Sequence, residues 1–255
     1  MTAPHKKGLP GWVEVSADKP EEAVKFYSAL FGWTIEKMEG ADDFVYYIIK
    51  KGDKTLGGLS GKMNPMQPSA WLTYIETDDI DKTIADINAH GGMTYMPAMP
   101  MPGGMFTVAS DPAGSPFGVV SGAGMFESDG EENGLCWFEL EVNGKFAETV
   151  DFYKAVFDWE PKTEYEAPEM TYLTVAPQIG VFNSPDFPDY FNGQSQWAVT
   201  FNVADVDALA EKAKSLGATI ESVSKGTPYG DFVMVRDPEG AFFVGMKPNR
   251  DEKQF

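Results

Sequence analysis

The chain has 255 residues, with 20 Lys+Arg against 39 Asp+Glu and a formal net charge of −19. Its 43% hydrophobic content, with 13% of the chain aromatic, is enough for a packed core and excludes wholesale disorder. That charge opposes phosphate backbones and anionic lipid, so nucleic acids and membranes are not expected partners. A lone Cys136 excludes an intrachain disulfide framework. Two histidines, His5 and His90, are too few for most catalytic transition-metal sites, which use two or three. No apolar run reaches signal-peptide or membrane-spanning length, so a soluble cytoplasmic protein is expected.

In chain order, the alternation W-V-E-V-S at 12–16 reads as a strand. Asp18-Lys-Pro-Glu-Glu then opens a helix, with acidic residues where the helix dipole favours them. Ala23, Phe26, Tyr27 and Leu30 give that helix an apolar face. FVYYIIK (44–50) and TLGGLS (55–60) read as short strands. The pattern then restarts with a strand at 71–76, a helix from Asp78/Asp79 to His90, and a Gly91-Gly92 stop. Strands follow at 105–110 and 116–121, separated by an Asp-Pro-x-Gly turn from Asp111. The second half repeats this order, with helices near 146–156 and 205–215.

The chain is in fact written twice. FYSALFGW at 26–33 returns as FYKAVFDW at 152–159. At the same spacing Trp71 meets Trp197, Gly91 meets Gly217, and DPAG from Asp111 meets DPEG from Asp237. WVEV at 12–15 answers WFEL at 137–140 one residue out of phase, so all the tryptophans pair: Trp12 with Trp137, Trp33 with Trp159, Trp71 with Trp197. The expected organisation is a tail (1–7), a first domain (8–125), an acidic linker (126–133), a second domain (134–250) and a tail (251–255). Each domain holds two β-α-β-β-β modules, an α+β fold.

On these motifs (FY-x-x-x-F-x-W, the DDID and ADVD helix openings, the two DP-x-G turns) the chain resembles the vicinal oxygen chelate superfamily. Glyoxalase I, bleomycin- and fosfomycin-resistance proteins and extradiol dioxygenases belong to it. It looks most like tandem-duplicated, glyoxalase-like bacterial members. The resemblance implies two curved eight-stranded sheets, each enclosing a cavity with helices outside. It also implies a divalent metal held by a His or Gln at each first strand and a Glu or similar residue on each last strand. Trp12, Trp71, Trp137 and Trp197 stand at the first-strand positions, and Gly118 and Val244 at the last-strand ones. An indole N–H only donates, and glycine and valine carry no ligating side chain. No family-type metal site and no cofactor is therefore expected.

If Val13 and Val15 face the helices, alternation turns Trp12 and Glu14 into the cavity. The same reasoning turns Trp71 and Thr73, Trp137 and Glu139, and Trp197 and Val199 inward. Indoles form rigid walls for a planar or cationic ligand, or they plug a cavity that has lost its metal. Glu14 and Glu139, partly desolvated, act as general bases or pair with a ligand cation, or they are acceptors satisfied by neighbours. The methionine run at 93–105 reads as a pocket-lining loop, with Met105 among the ligand contacts, or as a soft Cu(I) site. Cys136 reads as buried and inert. Three functions stand open: metal-independent binding of a small apolar or cationic molecule; a lyase or isomerase using Glu14 or Glu139 on a carbonyl compound; a non-binding scaffold. The protein is expected to be a monomer or homodimer.

Overall fold

The computed structural model describes residues 7–38, 45–122, 130–175, 178–184 and 193–249. His5, residues 126–129 of the expected linker and the 251–255 tail lie outside the described residues, as does the 1–7 tail apart from Lys7.

Four modules are present. The first runs β1 (Pro10–Ala17), α1 (Pro20–Phe31), β2 (Thr34–Lys37), β3 (Tyr46–Lys51) and β4 (Lys54–Gly61). The second runs β5 (Ala70–Glu76), α2 (Ile80–Ala89), β6 (Met93–Thr94), β7 (Met99–Met101), β8 (Gly104–Ser110) and β9 (Pro116–Ser121). The third holds β10 (Leu135–Glu141), α3 (Phe146–Phe157), β11 (Lys162–Ala167), β12 (Met170–Val175) and β13 (Ile179–Asn183). The fourth holds β14 (Gln196–Asn202), α4 (Val206–Ser215), β15 (Thr219–Thr227), β16 (Gly230–Arg236) and β17 (Phe242–Pro248). In each module the first strand pairs parallel with the last, and the intervening strands form antiparallel hairpins. The fold is α+β, as the repeat implies.

The strands form two sheets, ordered β2-β3-β4-β1-β5-β9-β8-β6, with β7 also on β8, and β11-β12-β13-β10-β14-β17-β16-β15. Strand pairing therefore follows the sequence halves. Packing does not: the compact units are Met1–Trp12, Leu72–Met125 and Phe138–Ala198 on one side, and Val13–Trp71, Phe126–Trp137 and Val199–Phe255 on the other. Two elements escape the sequence patterns. β2 is an almost wholly exposed edge strand, with no buried face to impose alternation. The second module's edge is broken into β6 and β7, whereas its counterpart β15 is continuous. Pro97, Pro100 and Pro102 supply no ladder N–H, which accounts for the break.

Helix starts follow their side chains. Asp79 caps α2 by accepting from Lys82 N, and Asp205 caps α4 by accepting from Asp207 N and Ala208 N. α1 has no cap of its own. Glu239, from the DPEG turn, accepts instead from Asp18 N at 2.6 Å and Lys19 N at 2.8 Å. α1 ends on Gly32 and α3 on Asp158, both in the left-handed region at φ 75° and 58°. Glycine enters that region freely, and aspartate at some cost.

The core of each unit is organised by the same three side chains. In one, Trp71 Nε1 donates to Tyr27 Oη at 3.0 Å, and Tyr27 Oη donates to Asp237 Oδ2 at 2.9 Å. In the other, Trp197 Nε1 donates to Tyr153 Oη at 2.9 Å, and Tyr153 Oη donates to Asp111 Oδ2 at 3.2 Å. The remaining carboxylate oxygen takes backbone N–H groups of its own turn: Glu239 and Ala241 on Asp237, Ala113 and Ser115 on Asp111. Burial, then the adjacent aspartate, pushes both phenols well above their ordinary range, so each stays a donor. Phe31, Phe201 and Phe243 pack around the first relay, and Phe117, Phe152 and Phe157 around the second.

Tyr27→Phe keeps the ring but leaves a buried indole N–H without its acceptor and a buried carboxylate short of a donor. Urea unfolding should show a loss of about 2–4 kcal/mol, and Tyr153→Phe should behave alike. A loss below about 0.5 kcal/mol would mean that the relay contributes little to stability.

Candidate functional site

On β1, Val15 pairs with Leu59 and Leu59 with Tyr47, whose Oη reaches Glu21 of α1. Val13, Val15 and Ala17 therefore face the helix, and Trp12, Glu14 and Ser16 point away from it. On that open face Glu14 Oε1 accepts from Ser60 Oγ at 2.9 Å, and Tyr46 bonds the same carboxylate. Glu14 sits opposite Gly58 in the β1–β4 register. A Cβ at Gly58 would overlap the Tyr46 hydroxyl, so the bare backbone is what lets the phenol lie down beside the acid. Burial pushes the Glu14 carboxyl up, and the Tyr46 and Ser60 bonds oppose that shift.

The third module repeats the device. Phe138 and Leu140 pair with Ile179 and Val181, and these in turn with Val175 and Leu173, a wholly apolar buried face. Glu139 and Glu141 take the opposite face. Tyr172 Oη donates to Glu139 Oε2 at 3.2 Å, and a Cβ at Gly180, opposite Glu139, would overlap both groups. The halves differ beside this pair. Where the first has Ser16 and Ser60 in register, the third module has Glu141 and Phe182. Glu141 Oε2 is buried with no partner among the described residues. Its carboxyl is held well above the ordinary range, first by burial and then by the Glu139 charge.

The tryptophans divide. Trp12 and Trp137 lie on the open faces with Glu14 and Glu139, Trp12 only 2% exposed. Trp71 and Trp197 face the helices: each donates to a helix tyrosine, with 5% and 4% exposure. That corrects the inward placement of both, and of Thr73 and Val199, which share their faces. The phases of β5 and β14 are opposite to the expectation because the helix side offers the acceptor an indole N–H needs when buried. Thr73 Oγ1 is itself buried without a partner among the described residues. Trp33 and Trp159 are structural as well, donating to Asn133 O at 2.8 Å and Gly8 O at 2.7 Å.

Met105 pairs with Ser121, next to Thr107–Val119 and Ala109–Phe117 on the face where Phe117 meets Phe152 of α3. It is therefore on the opposite side of β8 from Phe106, which lies edge-on to Tyr74. The Tyr74 ring covers Gly118, and a Cβ there would overlap it. Val244 is buried opposite Thr200. Among the described residues no three of His, Cys, Asp and Glu gather closely enough to hold a metal ion. The Cys136 thiol, buried, is pushed up to about 12, which leaves it unreactive. A groove of about 340 Å³ lies over Phe26, Ala29, Leu216 and Pro238; neither Glu14 nor Tyr46 lines it.

Tyr46, Tyr172, Gly58, Gly180, Ser60, Glu141 and Phe182 were not legible as site residues one at a time. Tyr46 and Tyr172 share the spacing of the FY motifs, which is the signal that would have found them.

Modules closed by parallel pairing of their first and last strands recur along the chain, and the family comparison matches both halves. Residues 10–119 and 142–244 match the model of the Glyoxalase/Bleomycin resistance protein/Dioxygenase superfamily. The chain belongs to that superfamily. It is 37% identical over 268 residues to CFP32 of Mycobacterium tuberculosis, a protein named as a glyoxylase, covering 96% of each chain. It is 28% identical to the anthracycline biosynthesis protein DnrV of Streptomyces peucetius, covering 92% of each. In fold it is similar to the Mn(II)-bound glyoxalase from Novosphingobium aromaticivorans (TM-score 0.62, 16% identity, 98% of this chain and 86% of that one). It is similar also to the 2,3-dioxygenase LapB from Pseudomonas sp. KL28 (TM-score 0.64, 14% identity, 99% and 98%).

The native state holds a proton on Glu141 to higher pH than the unfolded chain, where the group ionises near its ordinary 4.5. Above that value the native state binds more protons, so this residue's contribution is complete below about 4.5 and declines as pH rises. Glu141→Gln should flatten the fall in stability as pH rises above about 4.5, as read by urea unfolding. An unchanged slope would contradict the shielding of this acid.

Proposed function

We propose that this chain is a cytoplasmic small-molecule-binding member of the superfamily that works without the family's metal. In this reading Glu14 with Tyr46, and Glu139 with Tyr172, each receive the polar group of an organic ligand. The observation that carries the reading is the carboxylate–phenol pair seated on a glycine, built twice from different modules. Its donor set does not suit a divalent metal: a carboxylate engaged by hydroxyls, alone in the first module and beside one further acid in the third, is not a three-ligand site. The first-strand positions of the family ligands hold Trp12, Trp71, Trp137 and Trp197, and the last-strand position at Gly118 lies under a tyrosine ring.

The relatives named for anthracycline biosynthesis make an anthracycline a suitable first probe. Tryptophan fluorescence should report a saturable Kd that chelator leaves unchanged. Glu14→Gln together with Glu139→Gln should weaken binding about tenfold, the worth of one or two hydrogen bonds to charged groups. Gly180→Ala, which drives Tyr172 off Glu139, should weaken it too. Binding that requires added Mn²⁺ would defeat the metal-independent reading.

A second reading, a lyase or isomerase, is favoured by the raised Glu14 carboxyl beside a phenol and by the relative named as a glyoxylase. Here Glu14 or Glu139 moves a proton on a bound carbonyl compound. Turnover falling by about 10²–10⁴ in Glu14→Gln or Glu139→Gln, with binding retained, would select it over simple binding.

A further inference from the structure

The two carboxylate–phenol pairs have different neighbours. In the first module, Ser16 and Ser60 are both buried. Ser16 Oγ is engaged by the connection that leads into β5, donating towards Ala70 O at 3.4 Å and accepting from Gln67 Nε2 at 3.3 Å. In the third module the corresponding residues are Glu141 and Phe182, in register with each other and with Tyr172. Glu139, Glu141, Tyr172 and Phe182 thus share one face, each half-buried. Two acids lie two residues apart on one strand face, flanked by two aromatic rings, and Glu141 Oε2 is buried without a partner among the described residues.

We propose that this face is a binding site for a small organic ammonium ion, recognised by Glu139 and Glu141 with Tyr172 and Phe182 as its aromatic wall. The inference rests on the small-molecule reading above and narrows it to one half and one ligand class. The chemistry is specific. A cation placed between the acids favours the ionised form of Glu141, which burial and the Glu139 charge oppose, and supplies the donor that Glu141 Oε2 lacks. The ring faces attract the same charge, and more strongly where water is excluded. A neutral ligand of equal shape does neither. The first module, with one acid and two satisfied serines, offers no comparable preference for charge.

The test is isothermal titration of the full chain near neutral pH with benzylammonium and with benzyl alcohol, its near-isosteric neutral counterpart. Benzylammonium should bind at least about tenfold tighter. Glu141→Gln, which preserves shape and removes a shielded acid, should abolish that preference while thermal melting shows an intact fold. Phe182→Ala should weaken benzylammonium about fivefold through the lost ring. Glu148→Gln, an exposed acid of α3, controls for bulk negative charge and should leave the preference as it was. Equal affinity for the two probes overturns the proposal, as does a preference that survives in Glu141→Gln or disappears in Glu148→Gln. If benzylammonium fails but the anthracycline binds and Glu141→Gln does not alter it, the ammonium site falls and the small-molecule reading stands. If none of the three probes binds, both fall.

Discussion

The indole–phenol–carboxylate relay is the interaction on which the rest of the structure depends. A helix tyrosine accepts from a strand tryptophan and donates to an aspartate in a turn, with every group buried. Each member would be costly to bury alone, because an unmatched donor or acceptor forfeits its bonds to water. Together they satisfy one another, with the aspartate's second oxygen closing its own turn. The relay also couples distant parts of the chain. Tyr27 comes from the first module and Asp237 from the fourth; Tyr153 comes from the third and Asp111 from the second. That is why the compact units combine segments of both sequence halves while the sheets do not.

With tryptophan, tyrosine and aspartate committed to the helix side, the open strand faces carry a separate set of polar groups. Here the duplication has diverged. The carboxylate, the phenol and the glycine beneath them are kept in both the first and third modules, while the adjacent pair has become Ser16/Ser60 in one and Glu141/Phe182 in the other. The retained parts form one geometric unit, since the glycine exists to let the phenol reach the acid. The altered parts lie beside that unit and outside the relay, so their change alters the charge and shape of the face without breaking the relay.

The fourfold order of modules, the helices, the aspartate openings of α2 and α4, and the α+β class were legible in the sequence, because period, apolar spacing and capping residues are local signals. Glu14 and Glu139 were also legible, by alternation within one strand. Their tyrosine partners were not, because Tyr46 and Tyr172 reach them from another strand of the hairpin, through registers that no local pattern states. β2, without a buried face, left no periodic trace.

The sequence by itself determined that the tryptophans come in three duplicated pairs, four of them standing on the first strands of the modules. Only the tertiary structure decided which way they face. Alternation divides a strand into two sides but is indifferent to which side meets a helix. For Trp71 and Trp197 the choice was made by a hydroxyl on a helix far along the chain. A buried indole N–H must have an acceptor, and Tyr27 and Tyr153 supply it.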